Sequence, residues 1–133
     1  MTKFRILLPL LPLSLLLALA ACASPDPRAA TITPDALAER IAEGDAPLVL
    51  DVRSQSEYES GHIPGAVWIP HDELASRLSE LPADKDTEIV VHCQSGRRAG
   101  MAETVLGDAG YTHVVDLEGH WEVWSAGDYP KEP

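Results

Sequence analysis

The sequence has few cysteines and few positive charges, and both shortages limit what it can do. Its 133 residues include two cysteines, Cys22 and Cys93, and 10 lysines and arginines against 21 acidic residues. A net charge of −11 disfavours nucleic acids and anionic lipid head groups as partners, because an acidic surface repels both. The sequence also has no nucleotide-binding fingerprint, and its five histidines lack metal-ligand spacing. We therefore expect neither a metal nor another cofactor.

The first 21 residues predict a bacterial lipoprotein signal peptide. Lys3 and Arg5 precede an apolar segment, residues 6–19, which is shorter than the about 20 residues that a membrane-spanning helix needs. The sequence Leu-Ala-Ala-Cys then resembles a lipoprotein signal, in which the cysteine, here Cys22, is lipidated and becomes the new amino terminus. Residues 22–30 are typical of a flexible tether. An ordinary secretory signal with an unmodified Cys22 is the alternative.

Cleavage before Cys22 would leave 112 residues, which suits one small domain. It would remove Lys3 and Arg5 and no acidic residue, so the net charge would change from −11 to −13. We expect a lipid-anchored protein on the periplasmic face of the bacterial cell envelope. The outer membrane is favoured, because Ala23 stands where an inner-membrane retention signal has aspartate.

Short apolar strands alternate with helical segments along the chain, which predicts an α/β fold with a mostly parallel sheet and helices on both faces. The predicted strands are residues 48–52, 66–69, 88–91 and 113–115. The predicted helices are residues 36–42, 71–81, 99–106 and 119–126, with a helical turn at 56–60. The prediction of a helix at 71–81 is based on three leucines, Leu74, Leu78 and Leu81, whose spacing would place them on one helix face.

Cys93 follows a predicted buried strand and precedes a short loop that leads into a predicted helix. In an open parallel sheet, ligands bind at the carboxyl ends of the strands. Loop N–H groups and the helix dipole favour an anion there, including a thiolate, and Gly96 lets the loop curve tightly. If Cys22 is lipidated, Cys93 is the remaining thiol in an oxidising compartment, which favours a chemical use. We predict that Cys93 is a catalytic nucleophile and that the substrate anion binds to Gln94, Ser95, Gly96, Arg97 and Arg98.

Three motifs in the same order resemble those of the rhodanese-like family. The first comprises Asp51-Val52-Arg53, Glu57-Tyr58 and Gly61-His62-Ile63-Pro64-Gly65-Ala66, and the second is Cys93-Gln94-Ser95-Gly96-Arg97-Arg98. The third comprises Gly110-Tyr111, Val114, Leu117, Gly119, Trp121 and Trp124. The resemblance implies one rhodanese-like domain over residues 31–129, with a sheet of about five strands and a tail at 130–133.

This resemblance implies a sulfurtransferase of the thiosulfate:cyanide type. Cys93 would take the outer sulfur of thiosulfate, or of a similar small anionic donor, as a persulfide, and a thiol or cyanide would accept it in a covalent ping-pong cycle. It also implies that Asp51, Arg53, Glu57 and His62 support the active loop structurally. A persulfide carrier or thiol redox module, fed by a partner protein and with little thiosulfate activity, remains the alternative.

Two further positions bear on this interpretation. A cysteine-dependent phosphatase has an arginine six residues after its cysteine to clamp phosphate, and here that residue is Ala99. Arg98 comes one residue early, which disfavours phosphatase chemistry. In addition, His120 stands where many family members have a second glycine. If that position requires a positive φ, we expect a strained turn there.

Overall fold

The computed structural model describes residues 30–133. The predicted signal peptide, Cys22 and the tether up to residue 29 lie outside the described residues. Along the described chain the strands are β1 (Thr31–Ile32), β2 (Leu48–Asp51), β3 (Val67–Trp68), β4 (Ile89–His92) and β5 (Val114–Leu117). The helices are α1 (Pro34–Glu43), α2 (Gln55–Glu59), α3 (Arg97–Asp108) and α4 (His120–Ala126). None of the helices in residues 30–133 has the length and apolar character needed to cross a membrane.

The five strands form one sheet in the order β1-β5-β4-β2-β3, and each neighbouring pair is parallel. The predicted α/β fold with a parallel sheet is therefore confirmed. In the register of the central strands, Asp51 at the end of β2 lies opposite His92 at the end of β4. This register brings the Asp51 motif and the Cys93 loop to the same edge of the sheet, where the carboxyl ends of the strands meet.

Two apolar clusters cover the two faces of the sheet. Successive residues of β4 alternate between them, because side chains of a strand point to opposite faces. Val91 belongs to a cluster with Ala102 and Leu106 of α3, whereas Val90 belongs to a cluster with Leu37 of α1 and Trp124 of α4. Helices therefore flank both faces, as the alternating pattern predicts.

Helix α1 begins and ends at residues that favour helix termini. The Ala36 N–H donates to the Thr33 side chain at 3.2 Å, and Pro34 occupies the first turn, where its missing N–H has no intrahelical role. Gly44 ends the helix with a left-handed conformation, φ 76°. Short helix α2 begins with a capping box, in which Ser54 and Glu57 bind each other's backbone N–H groups.

The predicted helix over residues 71–81 is wrong. This segment forms two 3₁₀ turns, Leu74–Ser76 and Leu78–Glu80, which Arg77 separates with φ −120° and ψ 18°. The leucine spacing is nevertheless satisfied, because Leu74 and Leu81 are buried in the α3 cluster and Leu78 packs against it. The two-residue strand β1 was not predicted, because a segment that short has no periodicity to detect.

Candidate active site

Cys93 is the first residue after β4, and its side chain lies at the start of the loop that leads into α3. The residue is 1% exposed. The Gly96 N–H donates to Cys93 Sγ at 3.0 Å, and α3 begins one residue later. An N–H that donates to sulfur stabilises a thiolate more than a thiol, and the amino end of a helix has the same effect. The loop therefore has the geometry of an anionic sulfur site.

Gly96 is required at its position for two reasons. Its φ of 122° lies in a region that L side chains rarely adopt, and it immediately precedes α3. A Cβ at this position would also lie 2.9 Å from Nε2 of His120, which packs behind the loop. The close turn that aims the Gly96 N–H at the sulfur thus depends on the absence of a side chain.

An open cavity of about 400 Å³ adjoins the loop. Its lining residues are His71, Ser95, Arg97, Arg98 and Met101. Three of these are predicted substrate-binding residues. Gln94, which was also predicted, is not a lining residue, and its carbonyl accepts the Glu122 N–H at 3.1 Å. Of the predicted binding residues, Gln94 and Gly96 therefore shape the loop and the other three face the cavity.

His71 was not predicted as a site residue. It follows β3 closely in the chain, and its N–H donates to the Val52 carbonyl at 3.1 Å. This bond fixes His71 at the carboxyl edge of the sheet, beside the strand that carries Asp51. The sequence offers one signal for its place, since it comes just after a predicted strand in a parallel sheet.

The two arginines of the loop differ in their partners. Arg98 binds Glu57 through two hydrogen bonds, of 2.7 and 2.9 Å. These bonds are the main cause, and the Ser54 contacts add to them, so the pKa of Glu57 falls to about 2 even though burial alone would raise it. Within residues 30–133, Arg97 forms no ion pair with an acidic side chain. Arg97 is thus the cation of the cavity whose charge an incoming anion can use, whereas the charge of Arg98 is already balanced.

Asp51 and Arg53 form a second pair, which is fully buried. The guanidinium donates to both carboxylate oxygens, the shortest bond being 2.7 Å, and also to the Gly61 carbonyl at 2.8 Å. Its carbon lies 4.4 Å from the centre of the Trp121 ring. Arg53 and Glu57 are four residues apart, but each binds a different partner. Neither Asp51 nor Arg53 lines the cavity.

Neither His62 nor His92 has the geometry of a general base for Cys93. His62 donates from Nδ1 to the Tyr58 carbonyl at 3.0 Å and stacks on the Tyr58 ring. His92 is completely buried, and burial lowers its pKa to about 4, so it is neutral at physiological pH. Its Nδ1 donates to the Cys93 carbonyl at 3.2 Å. In residues 30–133, no group of three or more His, Cys, Asp or Glu side chains could hold a metal ion.

Known proteins are similar to this chain in sequence and in fold. A family model described as "Rhodanese-like domain" matches residues 33–127. The chain is 33% identical over 99 residues to a sulfurtransferase of Allochromatium vinosum, across 74% of this chain and 91% of that one. It is 37% identical over 70 residues to the thiosulfate sulfurtransferase PspE of Escherichia coli, across 53% and 67%. The crystal structure of the Alr3790 protein from Anabaena sp. is similar with a TM-score of 0.69 at 33% identity, covering 76% of this chain and 81% of that one.

Proposed function

This chain belongs to the rhodanese-like family of sulfurtransferases, and we propose that it moves sulfane sulfur from thiosulfate, or a similar donor, to a thiol or cyanide through a persulfide on Cys93. The observation that carries the proposal is the Gly96 N–H, which donates to Cys93 Sγ at 3.0 Å at the entry of α3. Thiolate and persulfide are both anionic sulfur, so one arrangement of donors serves both states of the cycle.

The proposed cycle has two displacements. In the first, the Cys93 thiolate attacks the outer sulfur of thiosulfate, the sulfur–sulfur bond of thiosulfate breaks, and sulfite leaves with the bonding electron pair. In the second, cyanide or a thiolate attacks the outer sulfur of the Cys93 persulfide, and the Cys93 thiolate is regenerated. The covalent intermediate divides the transfer into two steps, and neither step needs an added oxidant or reductant.

Charge in the cavity supports an anionic donor. The whole chain has a net charge of −11, so a cation without an acidic partner at the active loop stands out electrostatically. Arg97 is such a cation among the described residues, and it lines the cavity. We therefore propose that Arg97 contributes more than Arg98 to binding of the donor oxygens.

A partner-fed persulfide carrier is the second candidate, and one observation favours it. Met101 is 51% exposed and lines the same cavity, so it gives the entrance an apolar contact that a protein partner could use. One methionine is a small apolar contact compared with a stable protein interface. We therefore rank the small-anion enzyme first.

We also propose that the protein is anchored to the bacterial envelope through a lipid on Cys22, on the basis of the amino-terminal sequence. Growing expressing cells with a tagged fatty acid tests this directly. Incorporation into the wild type and its loss in Cys22→Ala would support the anchor. A label that persists in Cys22→Ala, or never enters the wild type, would contradict it.

The function is tested by steady-state formation of thiocyanate from thiosulfate and cyanide. We expect ping-pong kinetics, no activity in Cys93→Ser, and a KM for thiosulfate raised about 5- to 10-fold in Arg97→Gln, which corresponds to loss of one charge-assisted contact. Arg77 is a partly exposed arginine between the two 3₁₀ turns, so Arg77→Gln is the matched control and should leave the KM unchanged. Turnover that survives Cys93→Ser would overturn the proposal. Transfer from a protein persulfide without turnover of thiosulfate would favour the carrier.

A further inference from the structure

His120 occupies a backbone conformation that disfavours it. Its φ is 52°, and it is the one non-glycine residue in 30–133 with a positive φ. An L residue held there is strained relative to an ordinary conformation, because its Cβ crowds the neighbouring carbonyl. The residue is also buried, with 7% exposure, at the start of α4. Because this conformation is strained, we expect the buried His120 side chain to form contacts that compensate for the strain.

The His120 ring contacts the active loop at Cys93, where the loop begins, and at Gly96, just before α3. Nδ1 accepts the Cys93 N–H at 3.4 Å, and Nε2 lies 2.9 Å from the place where a Cβ on Gly96 would be. The residues that follow continue this contact, because the Trp121 N–H donates to the Cys93 carbonyl at 3.0 Å and the Glu122 N–H to the Gln94 carbonyl at 3.1 Å. The start of α4 thus holds the loop through these contacts, and no residue of α4 lines the cavity.

The contacts of the ring also select its tautomer. A backbone N–H is a donor, so Nδ1 must be unprotonated to accept it, and Nε2 then carries the hydrogen of the neutral ring. Nε2 lies 3.6 Å from Oδ2 of Asp116, whose negative charge favours a hydrogen on that side.

The carboxyl group of Glu103 is in contact with that of Asp116. Burial first, and then contact with Asp116, raises the pKa of Glu103 to about 7. Glu103 therefore keeps its proton in the folded protein up to about pH 7. Asp116 Oδ1 is buried and receives no hydrogen bond from another group in residues 30–133, so a protonated Glu103 beside it is a suitable donor.

We infer that His120 is a positioning residue for Cys93, an inference that rests on the proposed function. The neutral ring binds the Cys93 N–H and fills the space behind Gly96, so the Gly96 N–H stays aimed at Sγ. Because Arg97 lines the cavity and His120 does not, we expect loss of the ring to affect the reactivity of the sulfur and to leave binding of the anion unchanged.

Two substitutions separate this role from simple packing. His120→Gly suits the positive φ and removes the acceptor. His120→Asn also tolerates the positive φ, and its carbonyl oxygen can accept the Cys93 N–H. The readout is the rate at which iodoacetamide alkylates Cys93 at neutral pH, with urea unfolding of each variant alongside. One hydrogen bond of about 1 kcal/mol corresponds to about fivefold in rate. We expect about fivefold slower alkylation in His120→Gly and a rate within about twofold of wild type in His120→Asn.

Nitrogen NMR of the His120 ring in the wild-type protein tests the same inference without a variant. The expected spectrum is that of a neutral ring with its hydrogen on Nε2. A hydrogen on Nδ1 would overturn the inference, as would undiminished alkylation in His120→Gly or a failure of His120→Asn to restore the rate. Neither readout uses a sulfur donor. If wild-type Cys93 takes no sulfur from thiosulfate, the proposed function fails, and the alkylation and NMR results still decide the role of His120.

Discussion

Two arginine–carboxylate pairs lie near the active loop, and water reaches them very differently. In the Asp51–Arg53 pair the side chains are 0% and 1% exposed, and the guanidinium is also bound by the Gly61 carbonyl and by Trp121. In the Glu57–Arg98 pair the side chains are 30% and 26% exposed. Both are held by short hydrogen bonds, with the shortest at 2.7 Å in each.

The difference in burial assigns the two pairs different roles. Breaking a buried pair leaves a charge without a partner and without water, whereas water replaces a lost partner at the surface. Asp51–Arg53 therefore holds together the edge of the sheet on which the loop is built. Glu57–Arg98 connects α2 to the first turn of α3 and adjusts the position of the loop. The two pairs consist of the same chemical groups, but their loss has different effects because water reaches one pair and not the other.

The largest expected effect is that of Arg53→Ala. It leaves the Asp51 carboxylate buried without its partner, so we expect a loss of about 3–5 kcal/mol in the free energy of unfolding, measured by urea denaturation. Arg77→Ala is the matched control, because Arg77 pairs with Glu80 at 29% and 49% exposure. Its free energy of unfolding should stay close to that of the wild type, because water replaces the lost partner. Similar losses in the two variants would remove the distinction between the buried and exposed pairs.

Gly96→Ala should have the next largest effect. The positive φ alone should reduce the free energy of unfolding by about 1–2 kcal/mol, and the contact with His120 should turn the N–H away from Cys93. Alkylation of Cys93 should slow accordingly. The control is Gly100→Ala in α3, where an added Cβ meets no atom within 4 Å and should stabilise the helix by about 0.5–1 kcal/mol. A Gly96→Ala protein as stable and reactive as wild type would contradict the assigned geometry.

Glu57→Gln tests the partly exposed Glu57–Arg98 pair and the dependence of its stabilisation on pH. The folded-state pKa of Glu57 is lowered from 4.5 to about 2, so its stabilisation is present above about pH 4.5 and is lost as the pH falls toward 2. At neutral pH we expect a loss of about 0.2–1 kcal/mol. Urea denaturation at several pH values should show this difference from wild type shrink below pH 4.5. A difference that stays constant down to pH 2, or grows there, would contradict the assignment.

The smallest effect is expected at Glu103, which faces the carboxyl group of Asp116 instead of an arginine. Its pKa is raised from 4.5 to about 7, so the sign is reversed: ionisation destabilises the fold as the pH rises through 7. Glu103→Gln should raise the Tm by about 2 °C at pH 8 and leave it unchanged at or below pH 4.5. Thermal denaturation at both pH values checks this. A larger gain in acid than in alkali would show that Glu103 is not protonated in the fold.

The parts of the fold that leave a pattern in consecutive residues could be predicted from the sequence. The strands β2 and β4 have enough consecutive apolar residues to be recognised, and Gly96 and the helix after it mark the active loop. The three leucines of residues 71–81 predict a continuous helix, and the structure shows why this fails. Two 3₁₀ turns put the same side chains into the core, and hydrophobic spacing does not distinguish them from one helix.

The partners within the site could not be predicted, because they come from distant parts of the chain. Four-residue spacing places Arg53 near Glu57, yet Glu57 binds Arg98, which is 41 positions away. His71 reaches the cavity through the order of the strands, which the sequence does not state. His120 was recognised as a departure from a glycine, but its contact with the Cys93 N–H depends on how α4 packs against the loop.

The most direct test of the account is the intact mass of the protein before and after incubation with thiosulfate, with Cys93→Ser measured in parallel. We expect the wild type to gain one sulfur atom on Cys93, cyanide to remove it, and Cys93→Ser to gain none. The account is contradicted if the wild type gains no sulfur while Cys93 remains free to react with iodoacetamide, or if Cys93→Ser gains the same mass.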